Sequence, residues 1–276
     1  MEVRLLGPVQ VWAGGRLIEA GPPQQRLVLA AVALDAGRSV PVSTLVDRVW
    51  GGAPPARARA ALNVQVTRVR QVLREAAAAG GGPGTRLVHQ TGGYTLTLAA
   101  DQVDLGRFRG MVAAGRRADC PDGERAGLLR RAVALWHGPA LAGLEGAWVE
   151  RVRVAWDQER LDAVVEWAEA EVRLGNARRV VGPVRALLAE YPLVEPLAAV
   201  LIRALVGAGR TAEALDCYAT TRAVLATTLG AEPGPGLQRL HGAVLRGDLD
   251  PLQDLDPLQD LGPRQDLGPD VVDRSA

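Results

Sequence analysis

The feature that most restricts the folds open to this chain is a change of hydrophobic period close to residue 100. Upstream of it, Val3 to Leu6, Val9 to Trp12 and Leu17 to Ala20 are short β-rich runs split by Gly7-Pro8 and Gly14-Gly15, the pattern of a small antiparallel meander. Arg86 to Gln90 and Tyr94 to Leu98 flank Gly92-Gly93 in the manner of a β-hairpin. From Asp104 onward strand signals vanish and helical periods take over. The helices expected there are Leu105 to Ala118, Glu124 to Trp136, Glu145 to Leu174, Ala177 to Glu190, Val194 to Ala208, Thr211 to Leu229 and Gly236 to Leu245. The expected fold is therefore mostly α with a small β component. At 276 residues the chain is long enough for two cores.

Between meander and hairpin the spacing predicts three helices. Gln24 to Asp35 is apolar at Leu27, Val28, Ala31, Val32 and Leu34 and is ended by Gly37. Ser43 can cap Thr44 to Trp50, which Gly51-Gly52 closes, and a Pro-rich loop runs to Ala56. The third helix, Arg57 to Arg74, places Leu62, Val66, Val69 and Leu73 on one narrow arc for burial. Arg59, Asn63, Thr67, Arg70 and Arg74 line one solvent flank, with Val64 and Gln71 behind them and Arg68 on the far flank. This helix carries five arginines and no carboxylate, whereas a solvated helix usually intersperses Glu with Arg. Such a row is either a plain surface or a face for an external anion, above all a phosphate backbone.

Charge is distributed accordingly. Residues 1–100 hold 11 Arg against 5 Asp and Glu, residues 101–247 hold 19 against 18, and residues 248–276 hold 2 against 8, although the whole chain sums to +1. All 32 basic residues are arginine, so a Walker A lysine, a Schiff base and a pyridoxal site are excluded. Cys120 and Cys217 imply neither a disulfide framework nor a zinc site, and His137 and His241 have no spacing for a metal or a triad. Serine occurs only at Ser39, Ser43 and Ser275, outside any nucleophile elbow. The expectation is a protein that is not an enzyme and has no cofactor and no metal. Trp136, Trp148, Trp156 and Trp167 are read as core in preference to a ligand groove. With no apolar run near the ~18 residues of a membrane span and no signal peptide, a cytoplasmic, nucleoid-associated protein without a membrane partner is expected.

Strands, three helices and a closing hairpin form the order of a winged helix-turn-helix preceded by a small sheet. The segments GPPQQRLVLAAVAL, VSTLVDRVWGG, ALNVQVTRVRQVL and LVHQTGGYTL resemble the OmpR/PhoB-type winged helix, in the form found at the N-terminus of the Streptomyces antibiotic regulatory protein (SARP) family. The resemblance covers nearly all of residues 1–100. It implies that Arg57 to Arg74 is a recognition helix in the major groove, with Val64 and Arg68 facing bases and Gln65, Thr67 and Arg70 meeting phosphates or nearby base edges. Gln24 and Arg26 match positions that hold a phosphate at a helix N-terminus, against a plain reading of capping and solvation. At the wing, where many response regulators carry a minor-groove arginine, this chain has Gln90 beside His89 and Thr91. Tyr94 is read as a core-packing aromatic.

Downstream, GNARRVVGPVRALLAEYPLVEPLAAVLIRALVGAGRTAEALDCYATTRAVLATTLGAEPG repeats a small-residue helix, turn and second helix with TPR-like spacing. WVERVRVAWDQERLDAVVEWAEAEVRLGN, LLAEYPLVEPLAAVLIRALVGAGRTAEALDCY and LGAEPGPGLQRLHGAVL are similar to the bacterial transcriptional activator domain of the same family. The expected organisation is a DNA-binding domain over 1–100, an all-α helical-hairpin domain over 101–247, and an acidic tail over 248–276. The tail's six-residue units DLDPLQ, DLDPLQ, DLGPRQ and DLGPDV point to disorder, with two readings: a competitor for the arginine helix or a solvated remnant. The resemblance implies a pathway-specific activator of secondary metabolism whose partners are double-stranded DNA with promoter direct repeats, RNA polymerase, and a second copy forming a homodimer on DNA. A helical scaffold that binds a ligand or protein, with DNA secondary, is the alternative.

Overall fold

A computed structural model describes residues 1–81, 85–90 and 92–248 and divides the chain into two compact units, Met1–Ala170 and Glu171–Ala276. The acidic tail expected from Asp248 lies outside the described residues apart from Asp248 itself. No helix among the described residues is long and apolar enough to cross a membrane.

The first unit opens on an antiparallel meander, β1 (Glu2–Arg4), β2 (Gln10–Ala13) and β3 (Arg16–Ile18), in register Val3 with Val11 and Val11 with Ile18. Three helices follow, α1 (Pro23–Ala33), α2 (Val42–Trp50) and α3 (Ala58–Ala76). They pack on one another through Leu27, Val28, Ala31, Leu45, Leu62, Val66, Val69 and Leu73, all buried. The hairpin β5 (Leu87–Gln90) and β6 (Gly93–Leu96) is joined by a strand that the sequence does not announce, β4 (Ser39–Pro41), giving the order β4-β6-β5. Three residues ending in proline carry no readable period, and Val40 becomes a strand residue because it pairs with Tyr94. A Cβ on Gly93 would collide with the Val40 carbonyl oxygen, so β4 can approach β6 only at a glycine.

The first strand stops at Arg4, not at Leu6 as the apolar run predicts. The amides of Leu5 and Leu6 leave the sheet and donate to the carboxylate of Asp104, at 2.8 and 2.9 Å from Leu5 and 2.9 Å from Leu6. Asp104 opens α4 (Asp104–Gly115), where its side chain also accepts from the Leu105 amide at 2.8 Å. The carbonyls of the same two residues are taken by the amides of His137 and Leu141. Burial pushes the Asp104 carboxyl above its usual value, and the N–H donations from Leu6, Leu5 and Leu105 hold that rise back. The unit is completed by α5 (Asp122–Val133) and α6 (Ala147–Arg173), the last turn of which falls in the second unit. Trp148, Trp156 and Trp167 are buried, and half-buried Trp136 meets Phe108 edge to face at 5.7 Å.

In the second unit α7 (Arg178–Glu190), α8 (Glu195–Gly207), α9 (Thr211–Leu229) and α10 (Pro235–Arg246) follow one another across connections too short for anything but neighbouring helices. Val180, Val184, Leu197, Leu201, Leu205, Leu225, Leu237 and Leu240 form the core. Glu195 at the start of α8 accepts from the Gly234 amide at 2.8 Å, fixing the entry into α10. On the surface, Arg210 and Arg185 both donate to Glu213, and those bonds hold its carboxyl down to about 2.

Asp104→Ala leaves three buried amides without their acceptor and should lower unfolding free energy by about 3 kcal/mol in urea titrations, with Asp104→Asn, which retains one oxygen, losing less. For Glu213 the folded value lies below the ordinary 4.5, so its contribution is complete above that pH and is lost as pH falls toward about 2; a carboxyl NMR titration should show it still ionised at pH 3.

Candidate nucleic-acid interface

The exposed side of α3 is what remains after its apolar arc is spent on the core. Leu62, Val66, Val69, Val72 and Leu73 are buried, which turns Arg59, Asn63, Val64, Thr67, Arg68, Gln71 and Arg74 to solvent. Arg57 at the N-cap, Arg59 and Arg68 are exposed, and their guanidinium groups have no hydrogen-bond or ion-pair partner among the described residues. Val64 stands between them 51 % exposed, an apolar side chain set among polar ones. The first carboxylate after this row is Glu75, which accepts from Gln71 at 3.1 Å.

Several residues expected on the same face are already engaged. Gln65 is only 8 % exposed, with Nε2 donating at 3.2 Å to Oε1 of exposed Gln24 at the start of α1. It therefore ties the two helix surfaces together. Arg70 is half-buried and donates through Nε to the Leu87 carbonyl at 2.8 Å, pinning α3 to the first strand of the hairpin. Thr67 spends its hydroxyl on the Asn63 carbonyl at 2.9 Å, and the Nε of Arg74 lies 3.4 Å from the Arg70 carbonyl. Arg26 is half-buried, with a buried Nε lacking a partner among the described residues.

At the hairpin, His89 and Gln90 are exposed, and Gln90 accepts from Thr95 at 3.3 Å. Thr91 lies outside the described residues. Tyr94 has its ring in the core as expected, but its hydroxyl donates to Oδ1 of Asn63 at 2.8 Å. That bond and the free guanidinium of Arg57 were not singled out from the sequence. A buried tyrosine hydroxyl needs a partner, which is a signal that one exists without saying where.

The arrangement is an exposed helix face carrying guanidinium groups of one sign, beside a hairpin strand that ends on exposed His89 and Gln90. It is suited to holding a polyanion. The second unit offers a different feature, a cleft of about 320 Å³ lined by apolar Leu188, Leu201 and Val224 together with Arg185, Glu213, Asp216 and Cys217.

Residues 103–245 match the bacterial transcriptional activator domain family. The regulatory protein AfsR of Streptomyces coelicolor is 38 % identical over 88 % of this chain, and DnrI of Streptomyces peucetius is 33 % identical over 90 % of this chain and 93 % of its own length. The chain belongs to the SARP family. It spans about a quarter of AfsR, 24 % of that protein's length. A solved structure of Mycobacterium tuberculosis EmbR, in complex with a low-affinity phosphopeptide, superposes with a TM-score of 0.79 at 33 % identity, over 91 % of this chain and 66 % of that one. Its likeness extends the family's two-part architecture, strands and helices followed by helices alone, across both units.

Arg68→Ala should leave unfolding free energy within about 0.5 kcal/mol of the parent, since nothing in the fold uses this side chain. Arg70→Ala should cost about 1–2 kcal/mol by removing the charged donor from the Leu87 carbonyl. Parallel chemical denaturation of the two variants checks both.

Proposed function

We propose that this family member is a sequence-specific DNA-binding transcriptional activator, acting on the chromosome at promoters of a secondary-metabolism pathway. The observation that carries the reading is the trio of exposed arginines Arg57, Arg59 and Arg68 without partners on α3. In this reading α3 enters the major groove, where Arg68 and Val64 face base edges. Arg57, Arg59, Thr67 and Arg74 lie toward the phosphates. Gln24 and Arg26 approach the backbone from the start of α1, and His89, Gln90 and Thr91 from the wing. Gln65 and Arg70 act mainly by holding α3 against α1 and β5, in keeping with their burial and bonds.

Two copies side by side would occupy direct repeats, and the Gly51 to Ala56 loop together with the helical region would recruit RNA polymerase. The names of AfsR, a regulatory protein, and of the transcriptional regulators RedD and EmbR support the same class of activity. A second reading rests on the cleft of the second unit, whose largely apolar lining suits a ligand or peptide on a helical scaffold.

Genomic footprinting should find the protein on a limited set of promoters, and Arg68→Ala should abolish that occupancy while the protein stays folded. Occupancy that survived the substitution would refute the recognition-helix role. The logarithm of affinity should fall with the logarithm of salt by about 0.9 per neutralised phosphate, so a slope near zero would remove the phosphate contacts from the account.

A further inference from the structure

Asparagine on a recognition surface ordinarily reads adenine with both ends of its carboxamide at once, Oδ1 accepting from N6 and Nδ2 donating to N7. Asn63 is differently placed. Its Oδ1 is already engaged by the Tyr94 hydroxyl at 2.8 Å, whereas Nδ2 has no partner among the described residues and the residue is exposed. The tyrosine that imposes this is itself held from several sides. Tyr94 pairs with Val40 of β4 and with His89 of β5, the His89 ring meets it at 5.0 Å edge to face, and the Arg70 guanidinium lies 5.9 Å from its ring centroid. Arg70 is in turn fixed to the Leu87 carbonyl. A rigid hairpin residue thus sets the orientation of an exposed side chain on α3.

We propose that Tyr94 is a positioning residue that occupies one lone pair of the Asn63 Oδ1 and so orients the carboxamide, presenting Nδ2 as a donor to an acceptor atom on the nucleic acid. The inference rests on the DNA-binding reading above and adds to it what Asn63 recognises. The partner of Nδ2 is a phosphate oxygen or a base acceptor, such as a purine N7, guanine O6 or thymine O4. Because the carboxamide is oriented before binding, less side-chain freedom is lost when the contact forms.

The test uses the full chain. Wild-type protein first selects duplexes from a randomised DNA library, and the selected duplex is then bound at fixed salt by Asn63→Ala, Tyr94→Phe, Asn63→Asp and the Tyr94→Phe/Asn63→Ala double variant. Asn63→Ala should weaken binding about ten-fold and Tyr94→Phe about three- to five-fold, with the double variant no weaker than Asn63→Ala, because the tyrosine acts through the asparagine. Asn63→Asp still accepts from Tyr94 but has no donor, and should bind no better than Asn63→Ala.

A base contact shows as relaxed preference at one position in the Tyr94→Phe selection; a phosphate contact shows as a uniform loss across sequences. Losses that multiply in the double variant, or an Asn63→Asp protein that binds like wild type, would overturn the assignment. Thermal unfolding of Tyr94→Phe should shift by only a few degrees, since the ring remains. If it shifts further, the Asn63→Asp result, read at an exposed position, still decides. If the wild-type chain selects no DNA, the DNA-binding reading falls and this assignment falls with it.

Discussion

The buried carboxylate of Asp104 is the interaction on which the first unit's architecture depends. It gathers the amides of Leu5, Leu6 and Leu105 at the point where a strand ends and a helix begins. The chain before it mixes strands with helices and the chain after it has only helical periodicity, so this carboxylate joins two regimes of local structure. Holding a carboxylate there costs desolvation, which is why its proton is bound more tightly than usual. The return is that four backbone groups of Leu5 and Leu6, two amides and two carbonyls, are all satisfied away from any sheet.

The same economy shapes the arginine face. Each arginine in this region has either an internal task or none at all. Arg48 bonds Asp35 and the Ala31 carbonyl, and Arg70 bonds Leu87, so both belong to the scaffold. Arg57, Arg59 and Arg68 hold no partner among the described residues and keep the full reach of their side chains for a ligand. Separating scaffold arginines from free ones gives the interface a bonded base with unengaged charged tips, which is how a surface can bind a polyanion without losing its own fold when those tips are changed.

Much of this was legible in the amino-acid order. The apolar arc of α3 was readable because Leu62, Val66, Val69 and Leu73 recur at helical spacing, and the hairpin because alternation flanks Gly92-Gly93. The helices after Asp104 were readable for the same reason, to within a few residues at their ends. The third strand of the second sheet was not. Val40 is extended because Tyr94, 54 positions later, offers it a pairing edge that no local pattern records. The site was legible as a set of residue types on one helix, but their present partners were not: Gln65 faces Gln24 and Arg70 faces Leu87 through contacts between segments distant in sequence.

By itself, then, the sequence determined the periods: which stretches coil, which extend, which side of each helix is apolar, and that a row of arginines would be left outside. Those are local properties, set by residue spacing and steric preference over a few turns of chain. Only the tertiary structure decided which polar groups in that row are already spent. A hydrogen bond such as Tyr94 to Asn63 depends on where two separate elements meet, and an angstrom-scale placement between residues 31 positions apart is not written in either residue's neighbours.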